Sequence, residues 1–134
     1  MCSFNDPTKS DFRMINIERT DQIYLHKNVI SEIPYFQSYF SNIGKDKDYI
    51  ETEALGAAKV IFKAYYDNKV IIFNQEYWKD IVDFVLMWEL LYWPFKEIIW
   101  TTCINLEKLL EDYEDLEFYY IRIKTLCKLF GCHE

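Results

Sequence analysis

Hydrophobic and polar positions change their period several times along the first forty residues, and each change predicts a new element. Residues 12–17 and 22–25 alternate between apolar and polar side chains, which is typical of strands. The polar residues 18–21 between them predict a turn, so the two strands should form a hairpin. Two short segments with apolar residues at three-and-four spacing follow, and Pro34 separates them because proline ends one helix and can open the next.

The pattern then returns to a strand before it becomes helical. Residues 41–48 are polar and contain Gly44, which predicts a loop, and residues 49–53 alternate as a third strand. Residues 55–67 carry apolar side chains on one side of a predicted helix. Residues 70–73 predict a short fourth strand.

From Gln75 onward the periodicity is helical nearly to the end of the sequence. The first of these helices is apolar almost all round beyond Phe84, which indicates burial on several sides, and Pro94 should close it. Two further helices have one apolar stripe each, and Gly131 is a candidate C-cap for the second. The stripes consist of Ile99, Cys103, Leu106 and Leu110, and of Leu116, Tyr119, Tyr120, Ile123, Leu126, Cys127 and Phe130. A small mixed sheet with a cluster of five to six helices on one side predicts an α+β fold.

Composition and net charge narrow the range of functions that the chain could have. The chain has 134 residues, of which 51% are hydrophobic and 19% aromatic, enough for one domain with a substantial core. A net charge of −7 argues against a phosphate-binding surface, so we expect no nucleic-acid partner. No apolar run approaches twenty residues, and the first residues lack the features of a signal peptide, so we expect no membrane contact and no secretion. The four cysteines should then be free thiols.

Several stretches of the chain occur together in one known domain family. They are the strand that ends in His26-Lys27, the short helix after it, the segment Pro34-Tyr35-Phe36 with the further Phe40, the corner Tyr66-Asp67-Asn68-Lys69-Val70, and Cys103 with Ile104-Asn105-Leu106. Together with the order of the predicted elements, these stretches resemble the BTB/POZ domain. The last helix looks like the start of the BACK or three-box extension of cullin adaptors. Viral BTB-kelch proteins, those of poxviruses especially, are the most similar in character.

The resemblance implies a domain organisation and a class of function. Residues 1–10 would be a flexible lead, residues 11–110 the BTB/POZ-like domain, and residues 111–134 a helical extension. The function implied is a non-enzymatic interaction module that recruits a cullin-three-type ubiquitin ligase scaffold, or self-associates, or both. A viral decoy that occupies host BTB or cullin surfaces without delivering substrate is the alternative, favoured by the lack of a substrate-binding domain in this chain. The expected location is the cytoplasm, that of the host if the protein is viral, or the nucleus.

The resemblance also assigns partner-binding residues. Ile43 would be the apolar plug of the cullin-like surface, and Tyr66, Asp67 and Asn68 would form its second part. Lys45 occupies the position where cullin-binding members carry glutamate. Asp46 is the nearest acid, and Gly44 would bring it into place by letting the loop shift. Self-association would use Phe12, Met14 and Val29. Because the exchanged N-terminal helix of many dimeric members has no counterpart here, we expect a weak dimer or a monomer.

Residue types that can carry chemistry have simpler explanations here. His26 lacks a recognisable nucleophile or orienting carboxylate in the sequence. The resemblance implies that it is a structural residue that bonds backbone at the strand-to-helix corner, and we expect Pro34, Phe36 and Phe40 to be structural as well. The remaining candidates are a Cys/His set without the paired spacing of a zinc site, acidic pairs that fit solvated faces, and an aromatic run that fits core packing. They are Cys103, Cys127, Cys132 and His133; Asp80, Asp83, Glu111, Asp112, Glu114 and Asp115; and residues 88–93. We expect no metal, no cofactor and no catalysis.

Overall fold

The computed structural model describes residues 3–69, 76–90, 95–97, 99–100, 104 and 117–130. The elements within these residues are β1 (Phe12–Asn16), β2 (Gln22–Leu25), α1 (Lys27–Ile30), α2 (Pro34–Ser41), β3 (Tyr49–Thr52), α3 (Leu55–Asp67), α4 (Trp78–Met87) and α5 (Glu117–Phe130). The described residues between 95 and 104 are also helical. The predicted fourth strand at 70–73 lies outside the described residues.

The three strands form one mixed sheet in the order β2-β1-β3. β1 pairs antiparallel with β2, with Met14 opposite Ile23, and parallel with β3, with Met14 opposite Ile50. Alternation along β1 turns Phe12 and Met14 into the core, where Ile23 and Leu25 of β2 join them. The predicted hairpin and the α+β class are therefore confirmed.

The centre of the core is a cluster of aromatic rings from three helices. Phe36 of α2, Phe62 of α3 and Trp88 at the end of α4 are buried, with ring centroids 5.2–5.8 Å apart. Phe84 stacks on Trp88 at 4.2 Å. The predicted burial of Phe36 is confirmed, whereas Phe40 is only half-buried and places its ring edge-on to Phe12 at 4.9 Å.

α4 ends earlier than the sequence predicts. The helix stops at Met87 instead of continuing to Pro94, because Glu89 adopts a left-handed conformation with φ 59°. The amide of Leu90 then donates to the Val85 carbonyl at 2.9 Å, which closes the last turn of the helix. Leu86 and Met87 are exposed, so the prediction that this stretch is buried on several sides is wrong at these positions.

Residues 3–10, the described part of the predicted flexible lead, contact β2 and α3. The Asn5 side-chain oxygen accepts the Tyr24 amide at 2.9 Å, and the Ser10 hydroxyl donates to the Leu25 carbonyl at 2.8 Å. Phe4 places its ring edge-on to Tyr66 of α3 at 6.0 Å. A lead that is polar and aperiodic can still bond a strand edge through its own side chains and turns.

The predicted apolar stripe of the last helix is covered by this domain. Ile123, Leu126 and Cys127 of α5 are buried in the same core as α4. The Arg122 guanidinium reaches back to the Asp83 carboxylate of α4 at 2.7 Å. Asp83 is therefore the anchor of a helix–helix ion pair, although the sequence suggested a solvated face.

Two carboxylates of α4, Asp80 and Asp83, should affect stability in opposite directions. Partial burial, and secondly the charge of Asp83, raise the pKa of Asp80 above its ordinary value of 3.8. We expect Asp80→Asn to raise the free energy of unfolding at pH 7, because the variant removes an unfavourable charge. Asp83→Asn should lower it by about 0.5–1 kcal/mol, because Arg122 loses its charged partner.

The pH dependence separates the two effects. A raised pKa means that the folded state holds the Asp80 proton more tightly than the unfolded state does. This contribution to stability is complete below about 3.8 and is lost as the pH rises through the raised pKa. Denaturation curves from pH 3 to 7 should show a smaller loss in Asp80→Asn than in the native chain. Destabilisation by both variants at pH 7 would contradict this account.

Candidate functional site

A groove of about 540 Å3 lies between α2 and the end of α4. It combines aromatic and aliphatic side chains with a few polar groups along its rim, the composition expected of a recognition site. The groove residues are Pro34, Tyr35, Ser38, Tyr39, Asn42, Ile43, Met87 and Glu89.

The start of α2 builds the aromatic wall of the groove. Pro34 occupies the first turn of the helix after an extended Ile33, where the missing amide of proline removes no helical hydrogen bond. Tyr35 and Tyr39, one turn apart, stack with ring centroids 6.4 Å apart and nearly parallel planes. Burial, and secondly the neighbouring Tyr35, raise the pKa of the Tyr39 phenol. The Tyr39 phenol is therefore uncharged at neutral pH.

The loop after α2 places Ile43 at the rim of the groove. Ile43 is 83% exposed, the largest exposed fraction among the apolar side chains that the structure describes. The next residue, Gly44, donates its amide to the Tyr39 carbonyl at 2.7 Å. A Cβ atom on Gly44 would lie 2.0 Å from the Tyr39 ring, so only glycine leaves room for this contact. Gly44 therefore fixes the loop beneath Tyr39, and the predicted one-residue shift that would exchange Lys45 for Asp46 conflicts with this packing.

The end of α4 forms the opposite side. Met87 is 50% exposed, and Glu89 lies beyond it in the turn that ends the helix. A methionine side chain is unbranched and polarizable, so it adapts to apolar surfaces of different shape. Ile43, Met87 and the two tyrosines together line an apolar depression at the surface.

The two predicted parts of the cullin-like surface have different surroundings in the structure. Ile43 belongs to the groove, and Lys45 and Asp46 are exposed just after it. Tyr66 lies instead against Phe4 and His26, and its hydroxyl is used inside the fold.

The other two corner residues lie at the surface, and several residues that line the groove were not predicted. Asp67 and Asn68 are exposed at the end of α3, where Asn68 caps the helix in a left-handed conformation with φ 52°. The groove residues that sequence reasoning missed are Tyr35, Ser38, Tyr39, Asn42, Met87 and Glu89. The only sequence signal for Met87 was its position on the polar side of an amphipathic helix.

His26 is fully enclosed at the junction of β2 and α1. Its Nε2 lies 3.3 Å from the Thr8 carbonyl, which can only accept, so this nitrogen carries a proton. In the neutral ring, Nδ1 then accepts the Tyr66 hydroxyl at 3.0 Å, and the same hydroxyl oxygen accepts the His26 backbone amide at 2.9 Å. Both ring nitrogens are thus used within the fold, as the structural interpretation of His26 requires.

Two of the predicted self-association residues are buried in the core. Phe12 and Met14 lie on the core side of β1, because they alternate with the outward Arg13 and Ile15. A direct contact between their side chains and a second copy is inconsistent with this fold. Val29 is half-buried in α1, and its carbonyl accepts the Tyr65 hydroxyl at 3.0 Å.

Only some of the other residues considered for metal binding or catalysis lie in the described part of the chain. Cys127 is buried in the core, while Cys103, Cys132, His133 and the acidic run 111–115 lie outside the described residues. Within the described ranges, no group of three or more His, Cys, Asp or Glu side chains is arranged to hold a metal ion. Of the helices in that part of the chain, none is both long and apolar enough to cross a membrane. Models of known protein families give no match to this sequence, and neither do curated proteins.

Proposed function

We propose that this chain is a non-enzymatic interaction module of the BTB/POZ type whose groove receives an apolar side chain from a cullin-type scaffold. The observation that carries the proposal is the exposure of Ile43 at the rim of an apolar groove that also contains Met87. Covering an isoleucine side chain that is mostly exposed to water lowers the free energy of the complex. Gly44 holds it in place, so little loop entropy is lost on binding.

The order of the elements supports this proposal. Two strands, two short helices, a third strand and a longer helix follow one another as the resemblance implies. The proposed surface differs from the one expected from the resemblance, because the Tyr66 hydroxyl is bonded to His26. In this proposal the second part of the binding surface consists of the groove walls Tyr35, Tyr39 and Met87 instead of the Tyr66 corner.

Calorimetry of the full chain against a cullin N-terminal domain tests the proposal. We expect weak binding, since Lys45 stands where an acid would pair with the partner. Ile43→Ala should weaken binding about tenfold or more, and Lys45→Glu should strengthen it about tenfold, which corresponds to about 1.4 kcal/mol each.

The matched control is Ile17→Ala, which removes another exposed isoleucine at the end of β1 and outside the groove. It should leave the affinity unchanged. Absence of heat at high micromolar concentration for both the native chain and Lys45→Glu would reject the cullin partner.

A further inference from the structure

α5 carries a second apolar stripe on the face opposite its buried one. Phe118, Ile121 and Leu129 are 63%, 60% and 58% exposed, and with Thr125 they follow one another at three-and-four spacing. The Thr125 hydroxyl donates to the Ile121 carbonyl at 3.1 Å, which satisfies its hydrogen bond within the helix. We call these four residues the outer stripe.

The outer stripe is bordered by positive charge. Arg122 lies on one side, with its guanidinium 5.4 Å from the centre of the Phe118 ring, and its charge is paired with Asp83 of α4 at 2.7 Å. Lys124 and Lys128 are exposed on the other side. This local charge contrasts with the net charge of −7 for the whole chain. At physiological salt, charges act over about 8 Å, so a partner in contact with α5 meets mainly these cations.

The charges argue against a second copy of the chain as the occupant. Two antiparallel α5 helices crossing at Thr125 would set Ile121 of one copy against Leu129 of the other. The described side chains of α5 between residues 118 and 129 include no acid, so Lys124 and Lys128 of one copy would find no carboxylate among them on the facing helix. An anionic membrane is also disfavoured, because a wide surface meets the negative charge of the whole molecule.

We propose that the outer stripe of α5 binds an amphipathic helix of another protein whose apolar face is flanked by Asp and Glu. Its apolar side chains would cover Ile121 and Leu129, while its carboxylates would pair with Lys124 and Lys128. The contact is separate from the groove and does not depend on the function proposed for it.

Two synthetic helical peptides test the proposal by fluorescence anisotropy with the full chain. They share one leucine-rich stripe, which is flanked by Glu in the first and by Lys in the second. We expect the Glu peptide to bind about tenfold more tightly at low salt and to lose this advantage as salt increases. Lys128→Glu should lower its affinity about fivefold and raise that of the Lys peptide.

Variants locate the contact on α5. Ile121→Gln combined with Leu129→Gln should abolish binding while leaving the unfolding curve close to native, because both side chains are exposed. Ile17→Gln is the matched control and should bind the Glu peptide normally. Normal binding by the double variant would overturn the proposal.

Other results would assign the stripe differently. Equal binding of both peptides, or binding of neither, would overturn the proposal. A concentration-dependent dimer that the double variant abolishes would identify a second copy as the occupant. Binding to vesicles of anionic lipid that the same variant abolishes would identify a membrane surface.

Discussion

Replacing Phe36 by alanine should lower the free energy of unfolding by about 3–5 kcal/mol. Phe36 is fully buried, and its ring contacts Tyr35 of the same helix, Phe62 of α3 and Trp88 after α4. Truncation removes the transfer free energy of a benzyl group and leaves a cavity among three rigid rings that cannot collapse into it. The same side chain supports the wall of the groove, so the loss should also weaken any binding there.

Denaturation with urea, monitored by tryptophan fluorescence, measures this loss. Phe118→Ala is the matched control, since it deletes an equal side chain that is 63% exposed, and it should change stability by less than about 1 kcal/mol. A loss below about 1 kcal/mol for Phe36→Ala would show that α2 does not pack on the core as described.

The second large effect is expected at the junction of β2, α1 and α3. Tyr66→Phe should lower the free energy of unfolding by about 2 kcal/mol, because it leaves the enclosed His26 amide and ring nitrogen without their shared partner. The change removes one oxygen atom and little packing.

Tyr65→Phe is the matched control one residue earlier. The Tyr65 hydroxyl bonds the Val29 carbonyl and the Glu32 carboxylate, both at 3.0 Å, at a more exposed site where water can replace it. Tyr65→Phe should lower the free energy of unfolding by less than about 1 kcal/mol. Equal losses for the two variants would mean that the bonds to His26 contribute no more than a surface hydrogen bond.

Much of the fold follows from patterns that are local in the sequence. Alternation located β1, β2 and β3, the proline located the start of α2, and three-and-four spacing located α3 over the residues that the structure shows. The burial of Phe36 followed from the same spacing, because a helix that packs on one side must bury that side.

The errors arise where a single conformation or a distant contact decides the outcome. Glu89 ends α4 because its φ is positive, and a positive φ cannot be predicted from a glutamate in the sequence. Tyr66 appeared to be a surface residue because its partner His26 is forty positions away in the chain. The groove depends on Met87 meeting the loop after α2, which no local pattern reveals. The outer stripe of α5 was overlooked because the stronger stripe on the same helix accounted for its periodicity.

The parallel pairing of β1 with β3 has a consequence for synthesis on the ribosome. The β1–β2 hairpin can form within about 1–10 μs of its emergence, since its strands are close in sequence. β3 can join only after α1 and α2 have emerged and reversed the chain, because they lie between the paired strands. Until then the β3-facing edge of β1 is open, so nascent chains of this protein pass through a stage in which strand-to-strand association competes with folding.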